Sequence, residues 1–455
     1  MHFHFVGIGG IGMSGLAGIF IQAGYRVTGS DLKENAFTRK LKKMGASISQ
    51  GHRGARVKNA NLVVFSSAIG EDNPEIKEAR RKRISLVSRG KLVAEISNLK
   101  ESIVVAGTHG KTTTASLIAE LLLEEGRDPT LLVGGILNRI QSNSRLGKSR
   151  WMIVESDESD GSFLLHHPSV GVVTNIEDDH LEYYGSKRDL LLAFYRFMEG
   201  VKSRGFLVLN LDDPPINHLV HTRNLKRKIF TYGIKNKSHI MARNIELSPL
   251  KSSFSVYYRT HLLGRVDVPL AGIHNVYNSL AAICAGLELG ISWQRIKKTL
   301  SLFSGVKRRM EKVGEAGSIW IFDDYAHHPT EIKATIKEIR RLGRRTLVIF
   351  QPHRYTRSLF FLPQFAEAFE EVDVLILTPI YSAGERPIEG VSEEVFFEAV
   401  SRRRKFPTYF FSSWKEILEF ISENIKEKDL VITVGAGDIT DLSTLILNHL
   451  RKKIR

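Results

Sequence analysis

A three-domain α/β protein is predicted by three observations. The chain of 455 residues is too long for one hydrophobic core. An apolar strand running into a glycine turn and then a helix occurs twice in its first third. A third alternation of strand and helix signals starts after Gly305. The expected boundaries are 1–98, 99–308 and 309–455. Hydrophobic residues at 42% and charged residues at 25% match globular composition, which excludes disordered and fibrous classes.

The chain opens with a strand, the turn Gly7-Ile8-Gly9-Gly10-Ile11-Gly12, an apolar helix to about Gly24 and a second strand, Tyr25 to Asp31. Glycines at this spacing let the backbone approach a diphosphate at the helix amino terminus, with an acidic residue, here Asp31, about 20 positions on. The pattern selects a diphosphate; it does not select nicotinamide, and a plain strand-to-helix turn has the same spacing. A short strand, Asn61 to Phe65, brings Ser66 and Ser67 to its carboxyl end, and the domain closes at the polar stretch near Ser97 to Lys100.

The second domain begins with the strand Ser102 to Ala106, which runs into Gly107-Thr108-His109-Gly110-Lys111-Thr112-Thr113 and a helix to about Glu125. Backbone amides and Lys111 suit phosphates there, and the Thr112 hydroxyl suits magnesium. Val105 stands where a full phosphate-loop motif has its first glycine. The strand at Trp151 to Val154 ends in Glu155-Ser156-Asp157-Glu158-Ser159-Asp160, and that at Val170 to Thr174 ends in Asn175-Ile176-Glu177-Asp178-Asp179-His180. Hard oxygen ligands at strand ends are what Mg²⁺ needs beside a nucleotide, although either cluster alone could be a solvated acidic loop. After a strand at Phe206 to Asn210, residues from about Ile229 to Val268 alternate like antiparallel strands and are expected to cover one edge of the sheet. Gly272-Ile273-His274-Asn275-Val276-Tyr277-Asn278 opens an alanine-rich helix. Its amides suit an adenine edge, and Asn278 reads equally as a polar residue packed against a helix.

In the third domain, strands are expected at Ile319 to Asp323, Thr346 to Phe350, Val372 to Leu377 and Leu430 to Val434, with a helix from Pro329. Lys307-Arg308-Arg309 precedes them as a linker or a cation for phosphate. The clusters Asp323-Asp324-Tyr325-Ala326-His327-His328 and Gln351-Pro352-His353-Arg354-Tyr355-Thr356-Arg357 end two of the strands and can face one crevice. Guanidinium groups grip a carboxylate bidentately, so this set suits a carboxylate ligand. The histidine spacing fits no familiar zinc pattern.

The net charge is +16, but the basic runs Arg80 to Arg83, Arg402 to Lys405 and Arg451 to Lys453 are short, without interleaved aromatics, and are expected on solvated helix faces and ends. Nucleic acid is therefore not expected as a partner. The single Cys284 lies in an apolar helix, allows no intrachain disulfide and fits a reducing cytoplasm. No stretch approaches a membrane span, so no membrane insertion is expected, and a cleaved leader would remove the first glycine loop.

Together, in this order and over nearly the whole chain, these blocks resemble the Mur ligase family. The glycine loop with Met13-Ser14-Gly15, the Asp157-Glu158-Ser159-Asp160 block, Asp324 to Glu331 and Gln351 to Arg357 are similar to its alanine-adding branch. The branch that reattaches recycled tripeptide is not expected to carry the last block. The resemblance implies a Rossmann-like first domain, a central P-loop ATPase-like domain and a Rossmann-like third domain. It implies small-molecule substrates: UDP-N-acetylmuramate, held through Gly9, Gly10, Ile11, Gly12, Asp31, Ser66, Ser67, Asp157 and Ser159, and L-alanine, held by Tyr325, His327, His353, Arg354 and Arg357. ATP would be held by Gly107, Thr108, His109, Gly110, Lys111, Thr112, Thr113, His274, Asn275, Asn278, Arg308 and Asp324, with Mg²⁺ or Mn²⁺ on Thr112, Glu155 and His180. Lys111 would be catalytic, and His180 or His327 would assist the amine proton. A cytoplasmic monomer or weak homodimer is implied.

Overall fold

The computed structural model describes residues 1–402 and 406–454, in two compact units, Met1–Ser304 and Gly305–Arg455. The first unit holds two sheets. Strands β1 (His2–Val6), β2 (Arg26–Asp31), β3 (Ser47–Gln50), β4 (Leu62–Phe65) and β5 (Ser85–Ser88) pair in parallel in the order β3-β2-β1-β4-β5. The order reverses at β1, so the crevice beyond its carboxyl end, where the first glycine turn lies, is the ligand position of such a sheet.

Helix Ile11–Gln22 follows that turn and is apolar all round, which a helix with only one buried face would not be. The reason is that it serves two sheets. A Cβ on Gly15 would come within 2.7 Å of Asn143 Nδ2 and 2.8 Å of Leu132 Cδ1, so the helix packs closely on the second sheet. One apolar cluster consequently runs from Phe5 and Leu16 through Leu132 to Val104 and Phe194.

The second sheet comprises β6 (Glu101–Ala106), β7 (Thr130–Leu137), β8 (Ser142–Arg145), β9 (Trp151–Glu155), β10 (Val170–Val173), β11 (Phe206–Asn210), β12 (Lys228–Gly233), β13 (Ile240–Ser248), β14 (Lys251–Tyr258) and β15 (His261–Val268). Their order is β15-β14-β13-β12-β11-β10-β6-β9-β7-β8. The segment from Ile229 lies at one edge of the sheet as expected, and the expectation that it is antiparallel is corrected at β12. β12 pairs in parallel with β11, because helix Pro214–Thr222 carries the chain back as a crossover. β13 joins β12 in parallel, and the antiparallel β13, β14 and β15 cover that edge of the sheet as expected.

The second unit has strands β16 (Glu311–Ala316), β17 (Ile319–Asp324), β18 (Thr346–Phe350), β19 (Val374–Leu377), β20 (Thr408–Phe410) and β21 (Leu430–Val434), ordered β16-β17-β21-β18-β19-β20. The sequence pattern omits β16 and β20, the two edge strands, whose half-exposed residues give a weak apolar signal. β18 and β21 are buried throughout, between two apolar layers built on Phe350 and Ile432 and on Ile349 and Val431.

Arg80 and Arg81 are exposed near the end of helix Pro74–Arg81, as expected of a solvated run. Arg403, Arg404 and Lys405 lie outside the described residues. Cys284 is buried. Among the described residues no helix is long and apolar enough to cross a membrane.

Candidate active site

The first glycine turn is braced by the end of β2. The Ser30 carbonyl accepts from the amides of Gly7 (2.9 Å) and Ile8 (3.1 Å), and Asp31 Oδ2 accepts from Gly9 N at 2.7 Å. Asp31 therefore shapes the loop itself. The Asn35 amide closes it from the other side, donating to Gly9 O at 3.0 Å. Gly10 caps helix Ile11–Gln22 without a side-chain bond, and Gly12 lies against the Arg89 guanidinium, where a Cβ would come within 2.8 Å of Nη1. Ser66 is half-buried beside Gly7 and Ser67 is exposed.

The second turn lies between β6 and helix Lys111–Glu124. Gly107 and Gly110 hold φ of +129° and +78°, the region open to glycine. The end of β10 fixes the loop in register. Asn175 takes both backbone groups of His109, accepting from its N–H at 2.8 Å and donating to its carbonyl at 3.0 Å, and Thr174 Oγ1 donates to the same carbonyl at 2.7 Å. Thr108 N–H donates to Asn175 O at 3.0 Å, and Thr108 Oγ1 accepts from Glu177 N at 2.8 Å. Lys111 Nζ folds back to Gly107 O (2.6 Å), Thr108 O (3.1 Å) and Glu158 Oε2 (2.9 Å). Burial alone would lower the Lys111 pKa, but Glu158, Asp157 and Glu155 surround it, so the ammonium is held above its usual range. Burial raises Asp157 likewise, and Lys111 and His180 reverse this, leaving the carboxylate well below its usual range.

Thr112 and Glu155 meet: Oγ1 donates to Oε1 at 2.8 Å, and the other carboxylate oxygen accepts from Gly134 N at 2.5 Å. His180 joins a different group. One ligand atom each from Asp157, Glu158 and His180 lies within 4.8 Å of the other two. His180 sits at φ +58°, sparsely populated for a residue with a side chain, and caps the short helix Leu181–Tyr184. Tyr184 OH donates to the backbone carbonyl of Glu158 at 2.5 Å and so ties down the strand end that carries that residue. Both groups offer hard oxygen donors beside the loop lysine, which fits a divalent cation of the Mg²⁺ or Mn²⁺ kind. Asp157 and Ser159, expected near the first glycine loop, lie on the Lys111 side, with Asp157 also in the field of Arg89. Arg89 and Tyr184 were not named from the sequence, and Glu158 and Asn175 stood in its acidic and polar clusters without a role of their own. For Glu158 the signal was its adjacency to Asp157.

Helix Ile273–Glu288 brings Asn278, 6% exposed, onto this loop: its Oδ1 accepts from Thr114 Oγ1 at 3.2 Å and lies 2.3 Å from where a Gly110 Cβ would be. Asn275 donates to Ala271 O and accepts from Asn278 Nδ2 at 3.0 Å, and its amide lies 3.1 Å from His274 Nε2. Asn278 is thus packed against the loop, while His274 is exposed at the start of the helix. Thr113 is buried in the helix's first turn.

In the second unit, β17 and β18 are separated by β21, yet their ends converge. The His327 and His353 ring centroids are 5.7 Å apart, and His353 stacks on Tyr381 at 5.6 Å. Arg357 is buried; its Nη1 lies 3.4 Å from His353 Nδ1 and its Nε has no hydrogen-bond partner among the described residues. Arg354 sits at φ +72°, capping helix Tyr355–Phe360. Burial lowers the His327 pKa to about 4 and drives His353 well below its usual value, with Arg357 adding to both. His327 Nδ1 lies 3.0 Å from the Tyr325 carbonyl, which can only accept, so Nδ1 carries the proton and Nε2 the lone pair. Asp324 accepts from Met310 N and Ala326 N, and burial raises its pKa to about 6. Arg308 is paired with Asp323 at 3.2 Å and stacks over the Tyr325 ring.

Three family models match in chain order: "Mur ligase family, catalytic domain" over residues 2–101, "Mur ligase middle domain" over 105–286 and "Mur ligase, glutamate ligase domain" over 308–437. A curated UDP-N-acetylmuramate–L-alanine ligase of Aquifex aeolicus is 44% identical over 440 residues, 96% of this chain and 95% of that protein. The crystal structure of the UDP-N-acetylmuramate-alanine ligase of Thermotoga maritima superposes with a TM-score of 0.86 at 29% identity, covering both chains fully. A murein peptide ligase of Psychrobacter arcticus shares the fold at a TM-score of 0.77 and 24% identity, with 99% of each chain covered.

Proposed function

The chain belongs to the Mur ligase family, and from that premise we propose how its residues carry out ATP-dependent ligation of L-alanine to the carboxylate of UDP-N-acetylmuramate in peptidoglycan synthesis. The observation that carries the reading is Lys111: a protonated amine folded over a glycine turn at a helix amino terminus, with a cation-binding carboxylate set beside it.

The reaction must bring two anions together, a sugar-acid carboxylate and the γ-phosphate of ATP. Lys111 and the loop amides hold that phosphate and offset the repulsion while an acyl phosphate forms. Thr112 with Glu155, and Asp157 and Glu158 with His180, would hold Mg²⁺ or Mn²⁺. When bound, the cation supplies charge neutralisation on the phosphate oxygens. Asn278 keeps the loop in shape, and His274, Asn275, Arg308 and Asp324 are assigned to the nucleotide. The first glycine turn, with Asp31, Ser66 and Ser67, takes the UDP moiety. Arg357, with Arg354 and Tyr325, takes the alanine carboxylate. Its amine then attacks the acyl phosphate and expels phosphate; the His327 Nε2 lone pair, or His180 where it does not hold the cation, takes its proton. Residues 1–98, 99–308 and 309–455 are assigned to UDP-sugar, ATP and amino acid respectively. A cytoplasmic monomer or weak homodimer completes the reading, with no nucleic-acid partner.

The test is phosphate release from ATP in the presence of UDP-N-acetylmuramate, scored amino acid by amino acid and against L-alanyl-γ-D-glutamyl-diaminopimelate. Alanine is expected to stimulate release and the tripeptide not. The reverse would assign the chain to the tripeptide-recycling branch, and release with neither would remove the ligase assignment.

A further inference from the structure

Glu75 is a fully buried carboxylate in the first domain for which the ligation chemistry has no use. It is the second residue of helix Pro74–Arg81, behind the N-cap Asn73, where the helix amino terminus favours negative charge. Its Oε2 accepts from Ser30 Oγ at 2.5 Å and lies 3.3 Å from His52 Nδ1 and 3.6 Å from His4 Nε2, and its Oε1 accepts from Arg53 N at 3.2 Å. Ser30 Oγ is also 2.9 Å from His52 Nδ1. The one hydroxyl proton of Ser30 goes to the carboxylate, so Ser30 Oγ must accept from His52. This fixes the proton of His52 on Nδ1, two residues beyond β3, whose Gln50 pairs with Asp31.

Four elements thus converge on one buried charge: β1 through His4, β2 through Ser30, the chain after β3 through His52 and Arg53, and the helix that carries Glu75 itself. Ser30 is the residue whose carbonyl holds the amides of Gly7 and Ile8, and its neighbour Asp31 holds Gly9. A buried carboxylate is costly unless fully hydrogen-bonded, and losing one partner leaves the others unsatisfied. We propose that Glu75 is a positioning residue for UDP-N-acetylmuramate, setting the end of β2 and hence the glycine turn through Ser30, which His52 also holds. The inference rests on the assignment of that turn to the UDP moiety.

The test is a double-mutant cycle with Glu75→Gln, Ser30→Ala and both, measuring KM for each substrate, kcat and melting temperature, with Asp31→Ala as a direct perturbation of the turn. Each single variant is expected to raise KM for UDP-N-acetylmuramate about tenfold, the scale for a lost hydrogen bond to a charged group. The double variant should be no worse than either, and KM for ATP should stay unchanged. Additive losses, or a folded variant whose KM for the UDP-sugar is that of the parent, would overturn the proposal. If Glu75→Gln fails to fold, a folded Ser30→Ala with parental KM does the same. Should Asp31→Ala also leave KM for the UDP-sugar untouched, the error lies in the assignment of the turn rather than in the role of Glu75.

Discussion

Replacing Gly107 by alanine tests whether the second glycine turn is the ATP loop. A Cβ there would lie 2.2 Å from Thr174 Oγ1, 2.9 Å from Asn175 O and 3.0 Å from Thr174 N. The last two are backbone atoms of a strand end that cannot move cheaply, and φ is +129°. The backbone conformation costs about 1–3 kcal/mol for a residue with a side chain, and overpacking about another 1–3 kcal/mol. The loop relieves this by shifting the Gly107 carbonyl, which accepts from Lys111 Nζ at 2.6 Å. A loss of about 2–6 kcal/mol expressed in that loop lowers kcat/KM for ATP by about 30-fold at the least. Affinity for UDP-N-acetylmuramate, measured by calorimetry, should not change. Gly126→Ala is the control: φ is +75° with nothing within 4 Å, so only the conformational cost remains, about 1 kcal/mol of stability with no effect on ATP. A Gly107→Ala enzyme with kcat/KM for ATP within about threefold of the parent would refute the reasoning.

Lys111→Ala should abolish phosphate release and lower the melting temperature, because it strands the buried Glu158 carboxylate; adding Glu158→Gln should recover the melting temperature and not the activity. Arg357→Ala should raise KM for alanine by about 10- to 100-fold, the range for a charge-assisted hydrogen bond, with KM for ATP unaltered in the same initial-rate series. The depressed histidines of the second unit make stability depend on pH. Between about pH 6.5 and about 4 the unfolded chain takes up a proton that folded His327 refuses, so stability is full above that window and falls as pH drops through it. Thermal melts of His327→Gln/His353→Gln across this range should show a flatter pH dependence than the parent; an unchanged slope would place its source elsewhere.

The two glycine turns, the acidic strand ends and both histidine-bearing clusters of the third domain were legible in the sequence because each is continuous, and apolar strands such as Thr346–Phe350 announce themselves by composition. Edge strands were harder. β16 and β20 bury little, so their pattern is that of a loop, and the parallel direction of β12 depended on a crossover helix whose length the alternation of Ile229 to Val268 did not reveal. Thr112 and Glu155 meet as the resemblance implied, but the grouping of His180 with Asp157 and Glu158 instead of with that pair was not readable. Each strand end offers several carboxylates, and which one meets a given partner depends on how β6, β9 and β10 stand side by side.

The residues that escaped the sequence share a physical cause. In a parallel sheet every strand ends at the same edge, so a loop leaving one strand is braced by whatever leaves its neighbour, far away in the chain. Asn175, just beyond β10, closes on both backbone groups of His109 after β6, and Ser30 of β2 holds the turn after β1. A motif therefore specifies the phosphate-facing half of each loop, while its rigidity is encoded on the adjacent strand. At Asn175 the brace is the side chain, so an apolar residue there would leave the His109 amide and carbonyl without it, a cost of about 1–3 kcal/mol for each group, whereas Ser30 holds the turn by its carbonyl and gives its buried hydroxyl to Glu75. Substitutions at the braces should accordingly disturb one substrate at a time, ATP through Asn175 and the UDP-sugar through Ser30, whereas loss of Lys111 stops the reaction both must share.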